Sequence, residues 1–308
     1  MEHEEPPQRI GLGITIALTA YIFFVTASSI VASFKAQFPT IQVLFVQNFI
    51  CFWFILPIAA RFGIKRLKTD VMPIHLIRDF AGVTSYYLYF VAIRYLNLTD
   101  ATTLNYTAPF FVPIIWWVWM KEKIDKHIWW SIVIGFIGVA LILNPTKQIF
   151  QEGFVFGIFA GLASSIAFTA LRVLNLKREP MSRTLLYYFL FGTLFTAPFA
   201  ILYWVPPNPL QWIKMISVGL ATLIAQMLLT VAYRHGTAAY LSPLGYSTVI
   251  YAAISSWLIF NNQPTLQSLL GAFLIIVGGT LTYLFRKKPK TLKKVFQVPD
   301  PPKKPPTI

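Results

Sequence analysis

An all-α membrane protein with ten transmembrane helices, arranged as two inverted five-helix repeats, is the fold class this sequence predicts. Three observations predict it. Of the 308 residues, 56% are hydrophobic and 12% charged, more apolar material than a soluble core of this length needs and less charge than a soluble exterior needs. The apolar residues come in blocks of about 20, the length that crosses hydrocarbon as a helix. Finally, Ala92–Leu141 lies over Ala232–Leu281 without a gap, setting Arg94 on Arg234, Leu104 on Leu244, Tyr106 on Tyr246, Trp117 on Trp257 and Gly138 on Gly278. Each copy belongs to a set of five blocks. Five is odd, so the second set enters the membrane from the opposite side. Such repeats build a site at the bilayer midplane that can open to either face.

The runs are continuous rather than alternating, which excludes a β-barrel, and backbone amides in lipid need the internal partners that a helix supplies. Residues 1–10 form a polar N-terminus. Met1–Arg9 is too acidic for the basic leader of a cleaved signal peptide, so the first span is expected to stay. The first repeat, 11–143, holds spans at Gly11–Val31, Ile41–Ala60, Ile74–Ile93, Thr99–Met120 and Ile128–Leu143. The second span carries Cys51, the sole cysteine; an intrachain disulfide is ruled out and the residue reads as packing. In the third span Arg78, Gly82, Ser85/Tyr86 and Tyr89 share a helical face. In the fourth the face is Thr103, Tyr106/Thr107 and Phe110, beside Asn105, Pro109 and Pro113; each proline removes a donor and frees a carbonyl four residues back. Ser131, Gly135 and Gly138 in the fifth let a neighbouring helix approach.

The connector 144–153, with Pro145, Lys147 and Glu152, is too short to be a free linker, so the halves are expected to pack on each other. The second repeat, 154–285, has spans at Phe154–Leu174, Thr184–Trp204, Gln211–Tyr233, Thr237–Phe260 and Gln267–Phe285, with Pro206 and Pro207 dividing its second and third. Gly157 and Gly161 mark a packing face in the sixth span, and Gly161, Ser165, Phe168 and Arg172 a polar-aromatic one. The eighth offers Thr222, Gln226, Thr230 and Tyr233, the ninth Pro243, Tyr246/Ser247 and Ile250. Gly271 and Gly278 repeat the small-residue pattern in the tenth. A Lys/Pro-rich tail, 286–308, ends the chain.

The formal charge of +15 does not point to nucleic acid, because it is spread over loops and tail rather than gathered on a folded face. Arg61, Lys65, Arg66 and Lys68 follow the second span, Lys121, Lys123 and Lys126 the fourth, Lys177, Arg178 and Arg183 the sixth, and Arg234 the eighth. The odd-numbered loops carry only Lys35, Arg94, Lys147 and Lys214. The even loops and both termini are thereby expected in the cytoplasm, the protein in the plasma (bacterial inner) membrane, and the basic tail against anionic lipid. A homodimer is also open to it.

Polar residues inside spans cost free energy in lipid, so each is a candidate for function. The stripes of the third, fourth, sixth, eighth and ninth spans are expected to converge on one lined cavity. Its substrate-binding candidates are Tyr86, Tyr89, Asn105, Tyr106, Phe168, Arg172, Gln226 and Tyr246. Arg78 and Arg172, near the cytoplasmic ends of their helices, are candidates for an anion-attracting pair at the inner mouth. Interhelical hydrogen bonding, snorkelling, simple kinking and neutralisation of Arg78 by Asp79 are the plainer readings. The eleven carboxylates are expected in loops or at span ends, with Asp79, Asp100, Glu122 and Asp125 nearest to lipid. His3, His75, His127 and His235 are scattered over termini and loops. No metal cluster, catalytic constellation, phosphate-binding glycine loop or cofactor motif is expected from this distribution.

Arg78, the run Tyr89-Phe-Val-Ala-Ile-Arg-Tyr, then Asp100-Ala-Thr-Thr-Leu-Asn-Tyr-Thr-Ala-Pro109 and Lys121-Glu122 resemble the signature half of the drug/metabolite transporter superfamily, EamA type. The second copy, Ala232-Tyr-Arg, Leu241-Ser-Pro-Leu-Gly-Tyr246 and Gly271 to Gly279, resembles the same pattern. Lys121 departs from the glycine usual before Glu122, and Asn262 stands where the second copy usually has Glu. The resemblance covers all but the tails and implies ten helices and alternating-access transport of a small metabolite. The fourth span is most similar to the branch that includes S-adenosylmethionine carriers. The expected cargo is small, polar or amphiphilic, and zwitterionic or anionic, of the S-adenosylmethionine, amino-acid or nucleotide-like class. Export of amino acids or toxic compounds is the alternative, and a non-transporting scaffold a more distant one.

Overall fold

The computed structural model describes residues 10–34, 37–60, 68–121, 126–143, 152–177, 179–235 and 243–284. They are helical: α1 (Ile10–Phe34), α2 (Thr40–Ala60), α3 (Met72–Tyr95), α4 (Leu98–Asn105), α5 (Ala108–Met120), α6 (Lys126–Leu143), α7 (Glu152–Leu176), α8 (Met181–Leu202), α9 (Pro209–His235), α10 (Ser247–Phe260) and α11 (Leu266–Leu284), with one 3-10 turn at Pro243–Tyr246 before α10. Most boundaries lie within three residues of those read from apolar blocks. Glu152 and Gly153 open α7 rather than closing the connector. The rest of the connector, the tail, and the cations Lys35, Arg61, Lys65, Arg66, Lys123 and Arg178 lie outside the described residues, as do Glu122 and Asp125 and the side chains of Ser131, His127, Thr230, Tyr233, Arg234 and His235.

Contacts at the helix ends define the two ends of the bundle. At one, both ends of the Gln42 amide pair with the backbone of Val205, at 2.7 and 2.9 Å. There too Arg94 donates to Thr40 Oγ1 at 3.1 Å, and Gln211 to Gln37 at 3.2 Å. At the other, Thr69, His75 and Arg183 converge on Glu179. These are called the Gln42 end and the Glu179 end.

The packing follows the repeat. Within it α7 takes the place of α1, α8 of α2, α9 of α3, α10 of α4–α5, and α11 of α6. The major contacts map onto themselves under this exchange: α1 lies along α9 and touches α10, while α7 lies along α3 and touches α4 and α5. The pairs α2–α8 and α6–α11 map onto themselves directly. Each half therefore completes the other, because the first helix of each packs on the third of its partner. Small residues set the closest approach. A Cβ on Gly138 would stand 2.6 Å from the Gly271 carbonyl oxygen, so glycine is what lets α6 and α11 meet.

Among the described residues α1, α2, α7, α8 and α9 are each long and apolar enough to cross a membrane, while α6, α10 and α11 hold shorter apolar stretches. Two of the spans that fall short do so for a visible reason. The fourth span, expected as one helix from Thr99 to Met120, is two helices with a break at Tyr106–Thr107. The third is more polar than its neighbours, with His75, Arg78 and Asp79 buried inside it. This corrects two expectations. Asp79 is not at a span end but about two turns into α3, fully enclosed, and His75 is not in a loop. Both polar groups are accommodated because they lie on the face of α3 that packs against α7 and α8.

Candidate functional site

The break in the fourth span follows from its sequence. Pro109 has no amide hydrogen to give the Asn105 carbonyl, so the helix cannot run through. Thr107 N bonds Leu104 O at 3.1 Å instead. The Thr107 hydroxyl donates to the same carbonyl at 2.7 Å, and α5 restarts with Phe110 N on Thr107 O at 2.9 Å. The backbone of the break, with the freed Asn105 carbonyl, faces α7 at Gly161, where a Cβ would lie 3.0 Å from Leu104 O and 3.3 Å from Asn105 O. In the second repeat the corresponding segment is the 3-10 turn Pro243–Tyr246, closed by the Thr248 hydroxyl donating to Gly245 O at 2.5 Å.

The two breaks meet. The rings of Tyr106 and Tyr246 have centroids 6.1 Å apart. Tyr246 is buried, and its hydroxyl has no hydrogen-bond partner among the described residues, an arrangement that costs free energy unless something else bonds it. From the first break a polar chain runs into the neighbouring helices: Ser164 donates to Asn105 Oδ1 at 3.2 Å, and its oxygen lies 2.6 Å from that of Ser85. Ser85 also reaches Ala160 O at 3.0 Å. Tyr89 bonds Thr102 at 2.8 Å, one turn before the break.

Of the residues singled out in the sequence, the structure thus gathers Asn105, Tyr106 and Tyr246 at the break, with Tyr89 bonded into the same segment. Tyr86 is half-buried on α3, its ring edge-on to Phe90, and Gln226 is half-buried on α9. Phe168 is exposed, at 57%. Arg172 lies over the Trp116 ring at 4.1 Å, joining α7 to α5 toward the Glu179 end. Arg78 is buried against the Tyr188 ring at 4.0 Å and bonds Asp79 at 3.0 Å.

The sequence reading did not select a second feature. Toward the Gln42 end, α1, α9 and α10 border an open cavity of about 320 Å³ lined by Thr26, Ser29, Ile30, Ser33, Lys214, Ser255 and Ile259. The signal was present: Thr26, Ser29 and Ser33 recur at helical spacing on one face of α1, and Lys214, counted above with the loop cations, stands within α9. Among the described residues no group of His, Cys, Asp and Glu could hold a metal ion.

Comparison with known proteins agrees with this architecture. A pseudopaline exporter of Pseudomonas aeruginosa is 25% identical over 272 residues, 86% of this chain and 94% of its own. A riboflavin transporter of Vibrio cholerae is 29% identical over 270 residues, 85% of this chain and 89% of its own. An S-adenosylmethionine uptake transporter of Rickettsia bellii is 27% identical over 260 residues, 82% of this chain and 87% of its own. A solved crystal structure superposes with a TM-score of 0.62 over 88% of this chain and 96% of its own at 16% identity, a likeness of fold. The EamA-like transporter family matches twice, at residues 11–144 and 151–284. With one match on each five-span repeat, the chain belongs to the EamA-like transporter family.

Proposed function

We propose that this chain is a secondary carrier that moves a small polar or amphiphilic metabolite, zwitterionic or anionic, by alternating access. The observation that carries this reading is the meeting of the two helix breaks, with Tyr106 beside Tyr246 and a buried, unpartnered Tyr246 hydroxyl. Broken helices at a repeat interface present backbone and side-chain hydrogen-bonding groups to a solute, which unbroken helices in lipid cannot do. Tyr106, Tyr246, Tyr86 and Tyr89 supply faces for the apolar part of the cargo. Asn105 and Gln226 supply amides for its polar part. The loop cations favour the Glu179 end, with both termini, on the cytoplasmic side of the bacterial inner membrane. The relatives carry S-adenosylmethionine, riboflavin and pseudopaline by name, which supports a metabolite-sized cargo. The exporter among them keeps outward movement of amino acids or toxic compounds as the second reading.

Counterflow in proteoliposomes tests the proposal with S-adenosylmethionine, riboflavin and a set of amino acids as probes. Asn105→Ala and Tyr246→Ala are each expected to abolish exchange of whichever probe the unmodified protein carries, with normal membrane insertion. Full exchange in both variants would remove the break from the transport site.

A further inference from the structure

We infer that the cavity at the Gln42 end is a binding site for a carboxylate carried next to a hydrogen-bond donor. This deepens the carrier reading, since it names the chemistry that would enter at that end, but it requires only binding.

The lining assigns the ligand. Lys214 stands near the start of α9, half-buried, and supplies the cavity's ionisable group. None of the lining residues is a carboxylate, and among the described residues none pairs with it. A half-buried ammonium beside apolar walls attracts an anion more strongly than one in bulk water. The hydroxyls of α1 state the rest. Thr26 donates to Ile22 O at 2.9 Å, Ser29 to Val25 O at 2.8 Å and Ser33 to Ile30 O at 2.7 Å. Their protons are engaged by the helix backbone, so toward the cavity these oxygens act as acceptors. A cation on one wall and acceptors on another fit a molecule with a carboxylate and an adjacent N–H or O–H. Ile30 and Ile259 leave an apolar surface for its remainder. The volume of about 320 Å³ is at the lower end of the range for small-molecule sites, roughly 300–1,000 Å³, which limits the ligand to metabolite size.

Ser255 allows a direct test, because Cys51 is buried and is the chain's sole cysteine. The full-length Ser255→Cys variant in detergent is treated with anionic sulfonatoethyl or cationic trimethylammonioethyl methanethiosulfonate. Each rate is divided by that for a free thiol, and the unmodified protein is the blank. The anionic reagent is expected to be preferred roughly ten-fold. Lys214→Arg keeps the preference and Lys214→Gln brings it to about one. In the same variant leucine is expected to protect the thiol best, isocaproate (no amine) less, and isoamylamine (no carboxylate) least. Equal reagent rates, or protection by isoamylamine matching that by leucine, would overturn the assignment. Labelling reads binding without transport, so that outcome in a protein still active in counterflow sinks this site and leaves the carrier reading standing. Charge-selective labelling in an inactive protein does the reverse.

Discussion

At the Gln42 end α1 and α10 line an open cavity, whereas at the Glu179 end their counterparts α7 and α5 are joined by Arg172 lying 4.1 Å from the Trp116 ring. Helix packing makes these two places equivalent, and the side chains make them different. Lys214 faces a space at one end, while Arg172 has an aromatic partner at the other. The staples differ as well. Amide-to-backbone bonds from Gln42 hold the first end; ionisable groups around Glu179 hold the second. The helix breaks repeat the lesson. Asn105 aligns with Gly245, so an amide bonded to Ser164 in one copy is matched in the other by the absence of a side chain, where Tyr106 and Tyr21 come close. Two-fold backbone with unequal chemistry is what a carrier needs if its two access states are to differ in free energy, because a ligand shifts an equilibrium only through unequal interactions.

The largest expected effect is at the amide staple. Gln42 is fully buried, and Gln42→Leu keeps its bulk while leaving the Val205 amide and carbonyl without this partner. Val205 is itself 40% exposed, so water can rebond its backbone, and the cost is the net worth of the two lost hydrogen bonds, about 0.5–1.5 kcal/mol each. The thermal midpoint in detergent is expected to fall by several degrees, followed through the fluorescence of Trp204 and Trp212, whose rings are 6.0 Å apart beside the staple. An unchanged midpoint would show that the Gln42 end is held by something other than this pair.

The repeat was legible in the sequence because it is written in residues that tolerate little change: Tyr106 over Tyr246, and glycines where helices must touch. The Ser85–Tyr89 stripe was legible because polar residues at helical spacing in an apolar block stand out. The α1 hydroxyls were not, since Thr26, Ser29 and Ser33 satisfy themselves on their own helix and barely lower the apolar character of the span. Only packing against α9 and α10, far along the chain, turns them toward a cavity. The burial of Asp79 escaped for a similar reason: its neighbour Arg78 neutralises it locally, and the helices that enclose the pair are distant in sequence. The break at Asn105–Thr107 could be suspected from Pro109, but a proline alone also fits a kink that keeps one helix whole.

A smaller effect is expected at the aromatic clasp. A desolvated cation–π contact is worth about 0.5–2 kcal/mol, enough to shift a two-state population roughly two- to thirty-fold. If the clasp holds the Glu179 end shut, Trp116→Leu and Arg172→Gln both favour the state in which the Gln42 end closes. Labelling of Ser255→Cys should then slow in each double variant without a matching loss of stability. A clasp that serves packing alone would lower the thermal midpoint and leave the labelling rate as it was.

The smallest effect separates the two staples by pH. Glu179 accepts from Thr69 at 2.9 Å and from Arg183 at 2.7 Å, with His75 at 3.4 Å. Burial pushes its carboxyl up, but hydrogen bonds from Arg183, Thr69 and His75 together outweigh burial and hold it below the usual carboxylate range. A carboxylate depressed on folding contributes stability that is fully present above its unfolded value, about 4.3, and is lost as pH falls through the folded one. The difference in thermal midpoint between the unmodified protein and Glu179→Gln should therefore shrink toward zero as pH falls below about 5 and Glu179 itself becomes protonated. The difference produced by Gln42→Leu should stay flat across the same window, because no group in that staple titrates there. Parallel pH profiles for the two variants would mean that the ends are not held by different chemistry, and that the asymmetry lies in the cavity and the clasp alone.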